Sequence, residues 1–175
     1  MKWFFWLLIS SFNLANASSL PITFDREEQV ANVVLTARTE VRLIAPLLRS
    51  SMVTNALRRV LVEHHVRVSI LADADLIQDR SSYIPALSVL ASRQHPVQVR
   101  LLRGISRAVL IVDQARIVFG PLVTEPATFG LKPTRLVMDA SEARVQVKAF
   151  QSQWQRAKPW SLELQNPRFL TGGKP

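Results

Sequence analysis

The side chains able to do chemistry are few and widely spaced. His64, His65 and His95 are the three histidines, and cysteine is absent, which removes thiol catalysis, thiolate zinc sites and disulfides. No His-x3-His pair exists to hold a metal on one helical face. His64 and His65 end an amphipathic stretch, where a helix C-terminus accommodates a cation, and His95 precedes Pro96 in a loop. Asp73 and Asp75 have the spacing of a carboxylate pair but follow an alternating apolar run, so they read as a strand-ending turn rather than an acid and base. Asp113, between two apolar runs, is placed to accept backbone N–H groups and fix a hairpin. Positive charge is abundant: 22 Lys and Arg oppose 13 Asp and Glu, a formal +9, which favours phosphate-bearing partners. Arg58, Arg59 and Arg67 form one basic group, and no aromatic stacking pattern interleaves with the arginines.

The elements that must position these residues follow from periodicity. Asp25 and Glu28 offer a capping pair, and Val30, Val33, Val34 and Ala37 recur on one helical face, predicting a helix over 25–38. The run Glu40–Ala45 alternates and predicts a strand closed by Pro46. Ser50 or Ser51 caps a second helix with Val53, Ala56, Leu57, Val60 and Leu61 inward. Strands are expected at 66–72 and 97–102, with a helix starting near Tyr83 between them. Val109–Val112 is continuously apolar, as in a strand covered on both faces. A tight turn at Asp113 and Gln114 leads to a strand over 116–119, and Leu136–Met138 is a further short strand. Ser141 opens a last helix with Ala143, Val147, Phe150 and Trp154 on one face, limited by Pro159. The fold class is α/β: a layered domain with a mixed sheet and helices on both faces.

The length of 175 residues suits one domain with a core of its own. Lys2, the apolar run Trp3–Ile9 and the small residues Ala15 and Ala17 have the layout of a secretory signal peptide. Residues 1–17 are therefore expected to be cleaved after Ala17. The apolar run is too short to span a bilayer, so no stable membrane span is expected after cleavage, and the location is periplasmic or secreted. Residues 18–158 form the domain. Residues 159–175, with Pro159, Pro167, Gly172, Gly173 and Pro175, are expected to be a loosely packed tail.

From about residue 20 to 158 the chain resembles the phospholipase D superfamily, and within it the small, exported, single-motif bacterial endonucleases. The resemblance rests on Val30–Thr39 before a strand, on the helix through Ala56 and Leu57 leading into Val66–Asp73, and above all on Ser106-Arg107-Ala108-Val109-Leu110-Ile111-Val112-Asp113 followed by Arg116-Ile117-Val118-Phe119-Gly120. In the family that stretch is His-x-Lys-x4-Asp, a turn, a strand and Gly-Ser-x-Asn. The family's histidine falls on Ser106, its lysine on Ala108 and its aspartate on Asp113. Its serine falls on Pro121 and its asparagine on Val123, while a later Glu-Asn pair falls near Thr134 and Arg135. The reactive groups have changed while the apolar framework is kept.

Family enzymes attack a phosphodiester through a histidine nitrogen, and single-motif members dimerise to gather two histidines. Ser106 has no base beside it, since Ala108 and Val109 offer none. The resemblance therefore implies a degenerate motif, a pseudoenzyme without cofactor or metal, and a cationic cleft bordered by Arg103, Arg107, Lys132 and Arg135 that holds phosphate or a nucleic-acid backbone. A homodimer, or a heterodimer with a homologous chain, is expected. Two other readings stay open: a divergent phosphodiesterase, nuclease or phospholipase, active alone or with a homologous partner, and a structural component of an envelope or DNA-transfer assembly.

Overall fold

The computed structural model describes residues 21–91, 96–125 and 133–161; Ala15, Ala17, His95, Lys132 and the tail from 162 lie outside the described residues. In chain order the elements are β1 (Ile22–Phe24), α1 (Glu27–Leu35), β2 (Glu40–Ala45), α2 (Ser51–His64), β3 (Arg67–Asp73), α3 (Ile84–Ser88), β4 (Val97–Leu102), β5 (Val109–Val112), β6 (Arg116–Phe119), a 3-10 turn (Pro121–Val123), β7 (Thr134–Val137), α4 (Ala140–Arg156) and β8 (Lys158–Trp160).

The strands form one eight-stranded mixed sheet in the order β1-β7-β6-β5-β2-β3-β4-β8. Strands β2, β3 and β4 are parallel, joined by crossovers through α2 and α3, and the other neighbours are antiparallel. Two apolar layers cover it. On one face α1, α2 and α3 bury Val30, Val34, Val53, Leu57, Leu61 and Ile84 against Val41, Leu43, Ile70 and Leu110. On the other, α4 sets Ala143, Val147 and Phe150 against Ile44, Leu71, Val109, Ile111 and Ile117. All four residues of β5 are buried because both layers cover it, which is why that strand is continuously apolar. Each fully buried Leu or Ile contributes about 1.5–3 kcal/mol relative to exposure.

Several boundaries differ from the sequence expectation. Helix α1 starts two residues late because Gln29, not Glu28, reaches back: its Oε1 accepts the backbone N–H of Asp25 at 2.9 Å and of Arg26 at 3.0 Å. Asp25 therefore does not cap it. Strand β1 adds a three-residue edge too short to show a period. Strand β7 starts at Thr134 rather than Leu136, and Asp139 rather than Ser141 caps α4, accepting from the N–H groups of Ser141 and Glu142. The sheet also extends past the expected domain boundary at 158. Strand β8 pairs antiparallel with β4 and buries Trp160; Pro159 is tolerated there because β8 is an edge strand.

Candidate functional site

The parallel strands give the sheet two different ends. Ala45, Asp73 and Leu102 mark its carboxyl edge, where Ser106 and Ala108 also lie, since Val109, which opens β5, pairs with Ile44 of β2 and Phe119 of β6. Ligands in open α/β sheets bind at such an edge. Ser106 is exposed and makes no hydrogen bond among the described residues, and Ala108 packs against the core layer of α1 and α2. The Ala108 carbonyl accepts the Gly120 N–H at 3.2 Å, placing the residues after β6 directly beside those before β5.

Beyond Gly120 the chain turns apolar. Pro121 opens the 3-10 turn and Val123 is fully buried, so no polar side chain enters from those two positions. Gly120 itself is required by geometry. Its φ is +129°, and a Cβ there would lie 2.7 Å from both the Cα and Oγ1 of Thr134. Thr134, fully buried, turns its hydroxyl to accept the Leu122 N–H at 3.1 Å and so fixes the turn.

The histidines that the structure describes are at the other end. His64 closes α2 and His65 caps it in the left-handed region at φ 54°. That helix begins at Ser50, beside the carboxyl edge, and its 14 residues carry it about 20 Å to the amino edge, where Arg67 pairs with Glu40. Neither histidine is within reach of Ser106.

Asp113 is also at the amino edge. It and Gln114 both have positive φ, +49° and +57°, the backbone of a type I′ hairpin. Its carboxylate faces inward, accepting the N–H groups of Arg38 at 2.9 Å, Thr39 at 2.8 Å and Glu40 at 3.1 Å and the Thr39 hydroxyl at 2.8 Å. Partial burial pushes this carboxyl up. The donors of Thr39, Glu40 and Arg38 outweigh that, so it titrates below the usual carboxylate range. Asp73 and Asp75 form the expected turn: Asp73 accepts the Asp75 N–H at 2.8 Å and the Ile105 N–H at 2.7 Å.

The expected phosphate-binding cations are partly gathered. Arg135 stands in one cross-strand row with Phe119, Val109 and Ile44, which puts it on the α4 face. Arg107 lies between Ile105 and Val109, both packed toward that same face. Both arginines are exposed and have no ion pair among the described residues. Arg103 is differently placed, its Nε 3.5 Å from Asp75. On the outer face of α2, Arg59 pairs with Glu63 at 2.7 Å, while Arg58 has no ion pair among the described residues.

One residue at this edge escaped sequence reasoning. Arg49 donates to Ser81 Oγ at 2.7 Å and pairs with Asp79 at 3.3 Å and Glu125 at 3.7 Å, while its backbone N–H bonds the Thr124 carbonyl at 2.6 Å. It ties three loops together. Its position directly before the Ser50 cap was the available signal: Ser50 accepts the Val53 N–H at 3.0 Å and donates to Glu27 at 2.6 Å.

No protein-family model matches the chain, and no curated protein matches it by sequence. Solved structures match its fold. NucT from Helicobacter pylori superposes with a TM-score of 0.66 at 16% identity, covering 81% of this chain and 98% of that one. Nuc from Salmonella typhimurium, a phospholipase D family member, superposes with a TM-score of 0.62 at 18% identity, covering 76% and 89%. TrmBL2, an archaeal chromatin protein with a novel mode of DNA binding, gives 0.56 at 14% identity, covering 81% of this chain and 55% of that one. The chain therefore has the phospholipase D fold, over a length close to that of the NucT and Nuc structures.

Proposed function

We propose that the protein is an exported phospholipase D-like protein that binds phosphodiester backbones, nucleic acid foremost, at the carboxyl edge of its sheet without hydrolysing them. One observation carries this reading. Ser106, which the resemblance sets at the position of the family's histidine, makes no hydrogen bond among the described residues, Ala108 at the position of its lysine carries no ionisable group, and the described histidines sit about a helix length away at the opposite edge. Nucleophilic attack on phosphorus needs an activated nucleophile and a proton donor for the leaving oxygen, and neither is assembled from these residues.

Binding asks for less. Arg107 and Arg135, both exposed near the carboxyl edge, offer guanidinium forks suited to phosphate oxygens. Lys132, the fourth cation expected from the sequence, lies outside the described residues. The likeness to TrmBL2, an archaeal chromatin protein with a novel mode of DNA binding, favours nucleic acid as the ligand. Export follows from the amino-terminal sequence alone and is tested by sequencing the N-terminus of the secreted form, expected at Ser18. A gel-shift titration with labelled DNA tests binding: affinity should fall steeply with salt and weaken in the R107A/R135A variant. Unchanged affinity in that variant removes the carboxyl edge from consideration.

A second reading has one observation in its favour. The β5–β6 hairpin and the Gly120 contact keep the family's motif-bearing strands in register with the rest of the sheet. A homologous chain bearing the full motif could dock at this edge and supply the histidine. Light scattering of a mixture would then reveal a complex larger than either protein alone, and separate species would reject it.

A further inference from the structure

We propose that the amino edge of the sheet is a second contact surface for a nucleic-acid backbone, built from Arg38, Arg67 and Arg116 around the loop Thr36–Thr39. It rests on the reading that the chain binds nucleic acid, and adds a surface at the end of the sheet remote from Ser106.

Three observations converge on this loop. Arg116 Nη1 donates to Thr36 Oγ1 at 2.8 Å, which fixes that guanidinium against the end of α1. The Arg67 backbone N–H bonds the Thr39 carbonyl at 3.1 Å, and Arg38 lies between the two threonines. The strand register supplies the spacing: Arg67 stands opposite Glu40, Val41 opposite Val112, and Val112 opposite Arg116. The backbones of Arg67 and Arg116 are thus three strand spacings apart, about 14 Å, with Arg67 in the row that faces α4 and Arg116 in the row that faces α1 and α2, so the two flank the end of the sheet from opposite faces.

The carboxylates at this edge are committed elsewhere. Asp113 accepts backbone and hydroxyl donors, Asp139 caps α4, Glu40 pairs with Arg42 at 3.0 Å, and Glu63 pairs with Arg59 at 2.7 Å. None of Arg38, Arg67 or Arg116 has a carboxylate partner among the described residues. At the carboxyl edge Arg49 and Arg103 are taken up by Asp or Glu, while Arg107 and Arg135 have no ion pair among the described residues. Guanidiniums without carboxylate partners on both sides of one sheet end suit a polyanion lying across that end, whose charges recur every few ångströms along each strand.

The test is fluorescence anisotropy of a labelled DNA duplex with the full chain, between about 50 and 200 mM salt. The R38A/R67A/R116A variant should bind at least about tenfold more weakly, with the slope of log affinity against log salt reduced by about 2 to 3. The R38K/R67K/R116K variant, which keeps the charge, should recover most of that slope. Wild-type affinity and slope in an alanine variant that melts like the wild type would overturn the proposal. So would arginine-dependent binding to anionic phospholipid vesicles with none to DNA. If the triple variant folds poorly, R67E alone, at the exposed start of β3, should weaken binding several-fold, and unchanged affinity there would count equally against it. Absence of DNA binding by the wild type defeats the underlying reading too, whereas wild-type binding that the amino-edge variants leave intact defeats this surface alone.

Discussion

Asp113 Oδ1 accepts both the backbone N–H and the hydroxyl of Thr39, each at 2.8 Å, across 74 residues of chain. This contact fastens the β5–β6 hairpin to the entry of β2. It gives an aspartate at this position a structural task that survives without catalysis.

Asp113→Ala should cost about 2–3 kcal/mol in denaturant unfolding, because the N–H groups of Arg38, Thr39 and Glu40 lose a charged acceptor. Asp113→Asn should cost less, since asparagine tolerates the positive φ and keeps one acceptor oxygen. The pH dependence has a definite sign. Burial raises the Asp113 carboxyl, but the hydrogen bonds win and its folded value is depressed. Its contribution is therefore complete above the unfolded-state value and is lost as pH falls through the folded value. Acid unfolding of Asp113→Asn should be shallower than that of the wild type; parallel acid limbs would contradict this.

Gly120→Ala should destabilise the protein by about 2–4 kcal/mol. The added methyl would meet the Thr134 backbone at 2.7 Å in a conformation that side chains rarely adopt. A thermal melt indistinguishable from wild type would show that the β6–β7 contact relaxes freely.

Beneath α4 the predicted balance is different. Arg42 and Glu40 form a mostly buried pair at 3.0 Å, with the Arg42 guanidinium 5.6 Å from the Phe150 ring centroid. Phe150 stacks on Trp154 at 5.3 Å, and Arg100 covers the Trp154 ring at 4.8 Å. Arg42→Ala leaves Glu40 buried without its partner and should cost about 3–5 kcal/mol. The E40Q/R42M variant removes the uncompensated charge and should recover at least half of that loss in the same unfolding measurement. A double variant as unstable as the single one would assign the cost to packing against Phe150.

The fold was largely legible because its apolar periods are regular. Val53, Leu57, Val60 and Leu61 mark the inner face of α2, Ala143, Val147 and Phe150 that of α4, and the continuous run of β5 announces burial on two faces. Strand β1 was not legible, since three residues show no alternation, and Pro159 disguised β8 as a stop. The phospholipase D-like fold was legible by resemblance, and solved structures share it. The distribution of charge was not: whether an arginine is free depends on tertiary neighbours, such as Asp79 and Glu125 for Arg49, that lie tens of residues away. The separation of Asp113 and the described histidines from Ser106 likewise needed the sheet topology, because α2 and β5 carry the chain from one edge to the other.

The most direct test of the central claim is incubation of the purified protein, residues 18–175, with end-labelled single- and double-stranded DNA in excess EDTA, followed by gel analysis. Intact DNA after prolonged incubation, at concentrations where a gel shift shows binding, is the predicted result. Cleavage that co-purifies with the protein and disappears in Ser106→Ala would contradict the account and identify Ser106 as an unconventional nucleophile.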